Sequence, residues 1–287
     1  MNLPHRQFIA RCTMCTEKLQ RYRLTDTNYY FFHKLLIKSI LHSSNIFVAC
    51  ATDSAADLQY VYSRRFTEAD MLKSKHIFSI AKDNAPVEGC TVSEKVLQGN
   101  GCSMSVFSIA AGTNISPESY DYPKIWKIEE GGAEVLYLTA ETQVLTRGDI
   151  FIVPQNIPVG IRSKTGCIYS EILLDKECVM NDILKSAKVF ALKDLLPYKD
   201  GKIVNMDLVD SDKTKFVIMA FDAGTGLSEH SAPGDAIIFC LDGEGIIGYE
   251  GKEYRIHEGE NFKFDKNGKH YVKAEGKFKM ALLLVRD

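Results

Sequence analysis

The sequence predicts an all-β fold in which two similar jelly-roll barrels follow one another along the chain. Three observations support this prediction: an internal repeat, short apolar runs suited to strands, and glycine-rich turns between those runs. The chain has 287 residues, which is enough for two ordinary domains. An N-terminal segment, residues 1–71, matches neither copy of the repeat.

The internal repeat has a constant offset of 112 residues, as between Gly112 and Gly224. The sequence AGTNIS at Ala111–Ser116 matches AGTGLS at Ala223–Ser228 at this offset. Other strand and turn residues keep the offset or depart from it by one residue: Ile77 and Val189, Phe78 and Phe190, Gly89 and Gly201, Glu130 and Asp242, Gly148 and Gly259. A single deletion explains the last pair, and the other pairs indicate two copies of one unit.

Within each copy, the hydrophobic pattern is typical of β-strands. Short continuous apolar runs suit strands that are buried between two sheets. Such runs recur between glycine turns at Met104–Ala110, Ile150–Pro154, Ile237–Leu241 and Met280–Val285. A copy built from short strands of this kind fits a closed barrel or jelly roll.

The pattern divides the chain into four parts: an extension at 1–71, a first barrel at 72–176, a linker at 177–188 and a second barrel at 189–287. Glu177–Lys188 has helical spacing, with Val179, Ile183 and Leu184 on one face, so we expect a helical linker.

The extension contains basic and aromatic residues and a candidate helix over Asn28–Leu41. Two interpretations stay open: an appended helical or poorly ordered segment, or a stretch outside the native product, with translation starting at Met71. We expect residues before Met71 to be dispensable for folding of the barrels, because segments crossed by few contacts can be removed at little cost.

Composition and charge exclude several classes of protein. Apolar residues make up 45 % and charged residues 25 %, as in a globular chain. The net charge of −2 gives no overall field that would attract nucleic acid or an anionic membrane. Neither a membrane-spanning run nor a secretory signal is evident, so we expect a cytoplasmic protein. The eight cysteines are too scattered for a dense disulfide framework.

One motif match is misleading. Gly243–Gly248 reads GEGIIG, which has the spacing of a dinucleotide-binding loop, but such a loop must open a helix. Tyr249–Tyr254 follows and is typical of a hairpin with a glycine turn, so the match reflects turn chemistry. The sequence has no P-loop, no GxSxG elbow and no convincing Ser/His/Asp set.

The second copy resembles the cupin superfamily, whose two motifs are G(X)5HXH(X)3–4E(X)6G and G(X)5PXG(X)2H(X)3N. Gly224, His230 and Gly243 fit the first motif, and Gly259 and His270 fit the second. The resemblance covers residues 72–287. It implies a bicupin, with two tandem barrels of the cupin-type double-stranded β-helix.

In metal-binding cupins, three histidines and one glutamate hold a divalent cation, and this chain departs from that set. Ala232 and Ala236 replace the second histidine and the glutamate, so His230 and His270 are the two family ligands that remain. In the second motif, the proline, glycine and asparagine positions hold Asp265, Asn267 and Ala274.

The first copy departs further from the family pattern. Glu118, Tyr120 and Lys124 occupy the ligand positions of its first motif, and Val159 replaces the histidine of its second motif. A lysine repels a cation and a valine cannot bind one, so we expect no family-type metal centre there.

His230 and His270 are therefore the candidate ligand-binding residues, and three interpretations stay open. They line a polar pocket in the barrel mouth and contact an organic ligand, they bind a divalent transition metal, or they are satisfied by local hydrogen bonds. Two imidazoles alone rarely hold zinc, iron or manganese against water, although nickel and copper bind imidazole more tightly.

The leading hypothesis is binding of a small polar or anionic metabolite in the second barrel. The alternative, which the resemblance implies, is a metal-dependent enzyme of the bicupin dioxygenase, decarboxylase or isomerase type. A third hypothesis is a sensor barrel that acts through a protein partner. No cofactor is certain. The expected partner is a small-molecule ligand rather than nucleic acid or a membrane, with a homodimer as a further possibility.

Overall fold

The structure is a computed structural model, and it describes residues 46–50, 76–137, 142–186 and 189–286. Antiparallel strands dominate this part of the chain, which confirms the predicted all-β class. Its helical elements are short: α1 (Ile80–Asp83) and the 3₁₀ turns Asp182–Ser186 and Leu192–Asp194. Among the described residues, no helix is long and apolar enough to cross a membrane.

Ten strands precede or form the first barrel. Their bounds are β1 (Ile46–Cys50), β2 (Ile77–Phe78), β3 (Cys90–Gln98), β4 (Cys102–Ile109), β5 (Asn114–Glu118), β6 (Lys124–Tyr137), β7 (Gln143–Thr146), β8 (Asp149–Val153), β9 (Val159–Arg162) and β10 (Cys167–Leu174). One wall of the barrel has the strand order β3-β4-β10-β6-β8. The opposite wall contains β5, β9, β6 and β7, so β6 runs through both walls.

The following ten strands repeat this arrangement. Their bounds are β11 (Val179–Met180), β12 (Phe190–Ala191), β13 (Ile203–Asp210), β14 (Thr214–Phe221), β15 (Gly226–Ser231), β16 (Gly234–Tyr249), β17 (Lys252–His257), β18 (Asn261–Phe264), β19 (Lys269–Lys273) and β20 (Phe278–Arg286). The two walls are β13-β14-β20-β16-β18 and β15-β19-β16-β17. The two copies therefore share one topology, as the repeat predicts.

The long strands β6 and β16 pass from one wall to the other through matching bulges. The register slips at Leu241, since Cys240 pairs with Met280 and Asp242 pairs with Lys279. Gly243 follows with φ +71°, and its counterpart Gly131 in β6 has φ +76°. Glycine adopts this left-handed conformation without steric cost, and the bulge increases the local bend. This bend closes each barrel.

The first strand of each copy adds to the wall of the other barrel. Strand β2 precedes the first barrel but pairs with β18 of the second barrel. Strand β12 precedes the second barrel but pairs with β8 of the first. The exchange is reciprocal, since each barrel receives the short strand that precedes the other. Sheet membership therefore departs from the division of the chain that the repeat suggests.

The linker at 177–188 is not the predicted helix. Strand β11 pairs with Asp210 and Val209 of β13, and the short 3₁₀ turn follows. Asn181 fixes this path: its amide donates to the Asp207 carbonyl at 3.1 Å, and its side-chain oxygen accepts from Ile183 at 3.1 Å. Backbone pairing with a neighbouring strand outweighs helix propensity here.

The extension contributes one described element. Strand β1 pairs antiparallel with β3, from Ile46 opposite Glu94 to Cys50 opposite Cys90. It therefore lies at the edge of the first barrel's wall. The candidate helix over Asn28–Leu41 and the candidate start at Met71 lie outside the described residues.

Among the described residues, buried apolar side chains form three clusters. One fills the first barrel around Trp126 and Tyr169, and one fills the second barrel around Phe262 and Phe278. The third lies between the barrels and is built from residues of both, including Met104, Ile125, Ile150, Phe216, Phe239 and Leu283. The outer face of the wall β3-β4-β10-β6-β8 thus packs against the outer face of the wall β13-β14-β20-β16-β18.

Candidate functional site

His230 and His270 lie directly opposite each other at one end of the second barrel. His230 is on β15, His270 is on β19, and the two are register partners across the strand pair. Their ring centroids are 4.3 Å apart, with 57° between the ring planes. Side chains of directly opposed residues on antiparallel strands share one face of the sheet. The structure thus brings together the two residues that the sequence singles out.

Backbone carbonyls orient both imidazoles in the same way. Nδ1 of His230 lies 2.8 Å from the carbonyl oxygen of Ser228, and Nδ1 of His270 lies 2.8 Å from that of Gly268. A carbonyl oxygen can only accept a hydrogen bond, so each Nδ1 carries the proton. Each Nε2 is then left with its lone pair. The site offers two hydrogen-bond acceptors of the same kind, side by side.

The two histidines differ in burial. His230 is exposed, whereas only 4 % of His270 is exposed. Burial lowers the pKa of His270 below its usual value, and the nearby His230 lowers it further, against the bond to Gly268. Phe264 stacks on the His270 ring at 4.1 Å between centroids. His270 is therefore a neutral imidazole in apolar surroundings.

Aromatic side chains and two small residues surround the histidine pair. Tyr249 packs against Phe264, and its hydroxyl lies 3.4 Å from a carboxylate oxygen of Asp265. Ala232 and Ala236 are buried where the family carries ligands. Sequence reasoning missed Tyr249 and Phe264, because an aromatic residue in a strand carries no signal that separates a pocket wall from ordinary core.

Comparison with known proteins adds evidence from sequence and fold. Residues 217–286 match the family model described as "Cupin domain". The second barrel therefore contains a cupin domain. A cupin 2 conserved barrel domain protein from Leptotrichia buccalis is similar in structure, with 27 % identity and a TM-score of 0.67. The match covers 75 % of this chain and 98 % of that chain, so it includes both barrels.

Other similarities are weaker. A conserved protein of unknown function from Streptococcus pyogenes is 27 % identical, with a TM-score of 0.35, over 35 % of this chain and 89 % of that chain. A salicylate 1,2-dioxygenase from Pseudaminobacter salicylatoxidans is 10 % identical, with a TM-score of 0.48, over 67 % of this chain and 76 % of that chain. Matches of this strength transfer no activity. No curated protein matches the sequence.

The histidine pair of the second barrel does not fit a tightly held catalytic metal. Such a metal normally has three protein ligands and one open position. In the part of the chain that the structure describes, no group of three or more His, Cys, Asp or Glu side chains could hold a metal ion. Ala232 and Ala236 leave the cation without its second imidazole and its carboxylate. The described residues offer two imidazole ligands and no more.

The equivalent positions of the first barrel also come together, but as a polar cluster. Glu118 faces Val159 across β5 and β9, just as His230 faces His270. The Tyr120 hydroxyl donates to Glu118, and the Lys124 ammonium lies 3.3 Å from the centroid of the Tyr120 ring. Lys124 Nζ also lies 3.2 Å from a carboxylate oxygen of Glu171.

Glu171 completes this cluster, and the sequence analysis did not identify it. The same Glu171 oxygen accepts a 2.8 Å hydrogen bond from the Trp126 indole. Glu171 corresponds to Leu282 of the second barrel, since their register partners Trp126 and Ile238 are one repeat apart. The available signal was a glutamate inside the largely apolar strand β10. A buried carboxylate needs a partner, so this position could have been identified as part of a polar cluster.

Proposed function

We propose that this cupin binds a small polar metabolite in its second barrel, through Nε2 of His230 and Nε2 of His270. The observation that supports this most directly is the shared hydrogen-bond pattern of the pair. Both Nδ1 atoms donate to backbone carbonyls, so both Nε2 atoms accept. Two preoriented acceptors beside aromatic side chains suit a ligand that combines hydroxyl or N–H donors with a flat or apolar body.

The neutrality of His270 favours a polar ligand over an anionic one. An anion gains most from a protonated imidazole, but burial lowers the pKa of His270 and keeps the ring neutral. A hydroxyl or N–H group needs only the lone pair on Nε2. Protonation of the His270 ring at low pH would shift the preference towards carboxylates.

The test uses protein with ¹⁵N-labelled histidine and a panel of small hydroxylated, amide and carboxylate compounds. We expect NMR to show Nε2 unprotonated in both rings, and the Nε2 signals to shift on adding a hydroxylated or amide compound. His230→Ala should abolish these effects at His270. His257→Ala is the matched control, because His257 is exposed on β17 and paired with Glu260 at 2.9 Å. Binding that survives His230→Ala would contradict the proposal.

A metal-dependent enzyme is the second candidate, and the orientation of the imidazoles is the observation that favours it. A histidine that ligates through Nε2 usually donates Nδ1–H to a carbonyl or carboxylate, as both rings do here. The two alanines argue against it. We therefore propose that metal binding is weak and substoichiometric, with nickel or copper preferred.

Elemental analysis of the purified protein separates the two candidates. We expect little iron, manganese or zinc after dialysis against a chelator, and His230→Ala should change small-ligand binding more than metal content. Stoichiometric metal that survives the chelator and disappears in His230→Ala would replace the binding function with the enzymatic one. A cytoplasmic location and self-association as a homodimer remain proposals that accompany either function.

A further inference from the structure

We propose that the first barrel is a second, independent ligand site, which binds a neutral polyhydroxylated compound through Lys124, Glu171 and Tyr120. These residues occupy the same end of their barrel as the histidine pair does in the second barrel. The site uses no metal and none of the residues in the proposed function. Four properties of the cluster lead to this inference.

The first property is the cost of the buried charges. Lys124 is 5 % exposed and Glu171 is 8 % exposed, within the strands of the first barrel. A buried ion pair seldom stabilises a fold more than well-packed apolar residues would. In the second barrel, the same two positions hold apolar residues, Ala236 and Leu282. Folding of a barrel with this topology therefore does not require the ion pair.

The second property is hydrogen-bonding capacity that the described residues leave unused. Lys124 Nζ has three N–H donors, and among the described residues it forms one hydrogen bond, to Oε2 of Glu171. Trp126 also donates to Oε2, and Oε1 of Glu171 accepts no hydrogen bond from a described residue. A donor and an acceptor thus stand next to each other. One hydroxyl group, or two adjacent hydroxyls, can satisfy both.

The third property is an aromatic wall that continues to the surface. Tyr120 and Tyr122 lie on the loop between β5 and β6, are half-buried, and have ring centroids 5.4 Å apart. Trp126 and Tyr169 lie deeper, with their rings 5.6 Å apart in an edge-on arrangement. Aromatic faces pack well against the C–H faces of a ring-shaped polyol. The half-buried tyrosines give the cluster an approach from solvent.

The fourth property is the balance of charge, which selects the ligand class. The cluster contains two carboxylates, those of Glu118 and Glu171, and one ammonium, that of Lys124, so an anion would meet excess negative charge. Burial raises the pKa of Tyr120, and the hydrogen bond to Glu118 and the two carboxylates raise it further. A cation would meet the ammonium of Lys124, which already occupies one face of the Tyr120 ring. A neutral ligand with both donors and acceptors meets neither penalty.

The experiment is saturation-transfer NMR on the full-length protein with three polyol probes: D-glucose, D-ribose and myo-inositol. Sodium benzoate and ethylammonium chloride are the anionic and cationic comparison probes. We expect at least one polyol to bind and the two ions not to compete with it. The double variant Lys124→Met with Glu171→Gln removes both charges but keeps an oxygen that can accept from Trp126. It should bind the polyol at least tenfold more weakly.

Two further variants keep the inference testable if the double variant folds poorly. Tyr120→Ala changes a loop residue and removes the aromatic face, so it should also weaken binding at least tenfold. Tyr137→Phe is the control, since Tyr137 is a half-buried tyrosine of the same barrel that packs edge-on against Phe151. In the His230→Ala background, which removes polyol binding to the second barrel, a polyol should still bind and Tyr120→Ala should still weaken that binding, which separates the two sites. Absence of polyol binding, displacement by either ion, or binding that persists in Tyr120→Ala would overturn the inference.

Discussion

Two equivalent positions hold charged residues in the first barrel and apolar residues in the second. Lys124 and Glu171 in the first barrel correspond to Ala236 and Leu282 in the second. The apolar pair brings no charge into the second barrel, whereas the charged pair forms a buried ion pair in the first barrel. Because both barrels fold with one topology, each serves as an internal reference for substitutions in the other.

The first residue-scale prediction concerns the Lys124–Glu171 ion pair. Lys124→Met alone leaves the carboxylate buried without its cation, so we expect a loss of about 3–5 kcal/mol in the free energy of unfolding. Lys124→Met with Glu171→Gln should recover most of this loss, because no charge is then buried. Urea unfolding of the single and double variants forms the double-mutant cycle. Equal losses in both variants would show that the charge on Glu171 is not the cause.

The second residue-scale prediction concerns acid sensitivity at His270. Its pKa is lowered in the folded protein, while an unfolded histidine titrates near 6.5. The unfolded state therefore binds the proton first as the pH falls. The neutral His270 therefore contributes to the free energy of unfolding fully above about pH 6.5. This contribution is lost as the pH falls through the folded pKa of His270. NMR titration of the His270 ring gives the pKa directly, and urea unfolding at pH 7.5 and 5.5 gives the energy. His270→Gln should reduce the difference between the two stabilities.

At the scale of elements, the repeat, the glycine turns and the apolar runs predicted the strands well. The runs at Ile237–Leu241 and Met280–Val285 lie within β16 and β20. The predicted helix at 177–188 was wrong, because its helical spacing competed with backbone pairing to β13, which a local pattern does not reveal. The exchanged strands β2 and β12 have two residues each, too few for any periodicity. Glu171 was missed because the motif positions lie on other strands.

The bulge in β16 gives the first prediction at this scale. Gly243 has φ +71°, and a Cβ atom there would collide with the carbonyl oxygen of Lys277. Gly251 has φ +78° but nothing within 4 Å of a built Cβ atom. Gly251→Ala should therefore cost only the conformational strain, about 1–2 kcal/mol. Gly243→Ala should cost roughly twice that or more, because backbone must also move. Thermal and urea unfolding of the two variants measure the difference, and equal losses would refute the role of the collision.

Strand β1 allows the predicted dispensability of the extension to be tested. Removing residues 1–70 takes away β1 and leaves β3 at the edge of its wall. Strand β13 is the counterpart of β3 in the second barrel. Over residues 203–206, its edge that faces away from β14 has no described strand partner, yet the second barrel has the same topology. We therefore expect a chain that begins at Met71 to fold, with a melting temperature within a few degrees of the full chain. A larger decrease would show that the extension packs on the core.

At the scale of the whole molecule, the two barrels depend on each other. Strand β2 completes the wall of the second barrel, and the amide of Ile80 donates to Asn261 at 3.2 Å. Buried side chains from both barrels also form the cluster between them, which includes Phe216 and Phe239. A fragment with one barrel would expose this apolar face to water, at a cost of roughly 25 cal/mol per Å². The chain is thus expected to unfold in a single cooperative step.

The reciprocal exchange predicts what an isolated second barrel will do. A fragment of residues 189–287 lacks β2 but retains β12, whose Phe190 is the repeat equivalent of Phe78. In two copies of the fragment, β12 of each can pair with β18 of the other and cover both apolar faces. We therefore expect a two-fold symmetric homodimer in which the two copies exchange β12 reciprocally.

Sedimentation equilibrium of the fragment measures this directly. Phe190→Asp should shift the fragment towards monomers or aggregates, because a charge would enter the exchanged strand. Lys252→Asp is the control, since Lys252 is exposed at the turn between β16 and β17, away from the exchanged strand. A fragment that stays monomeric and unfolds cooperatively would show that the second barrel forms its wall without a partner, and that the exchange in the full chain only joins two self-sufficient barrels.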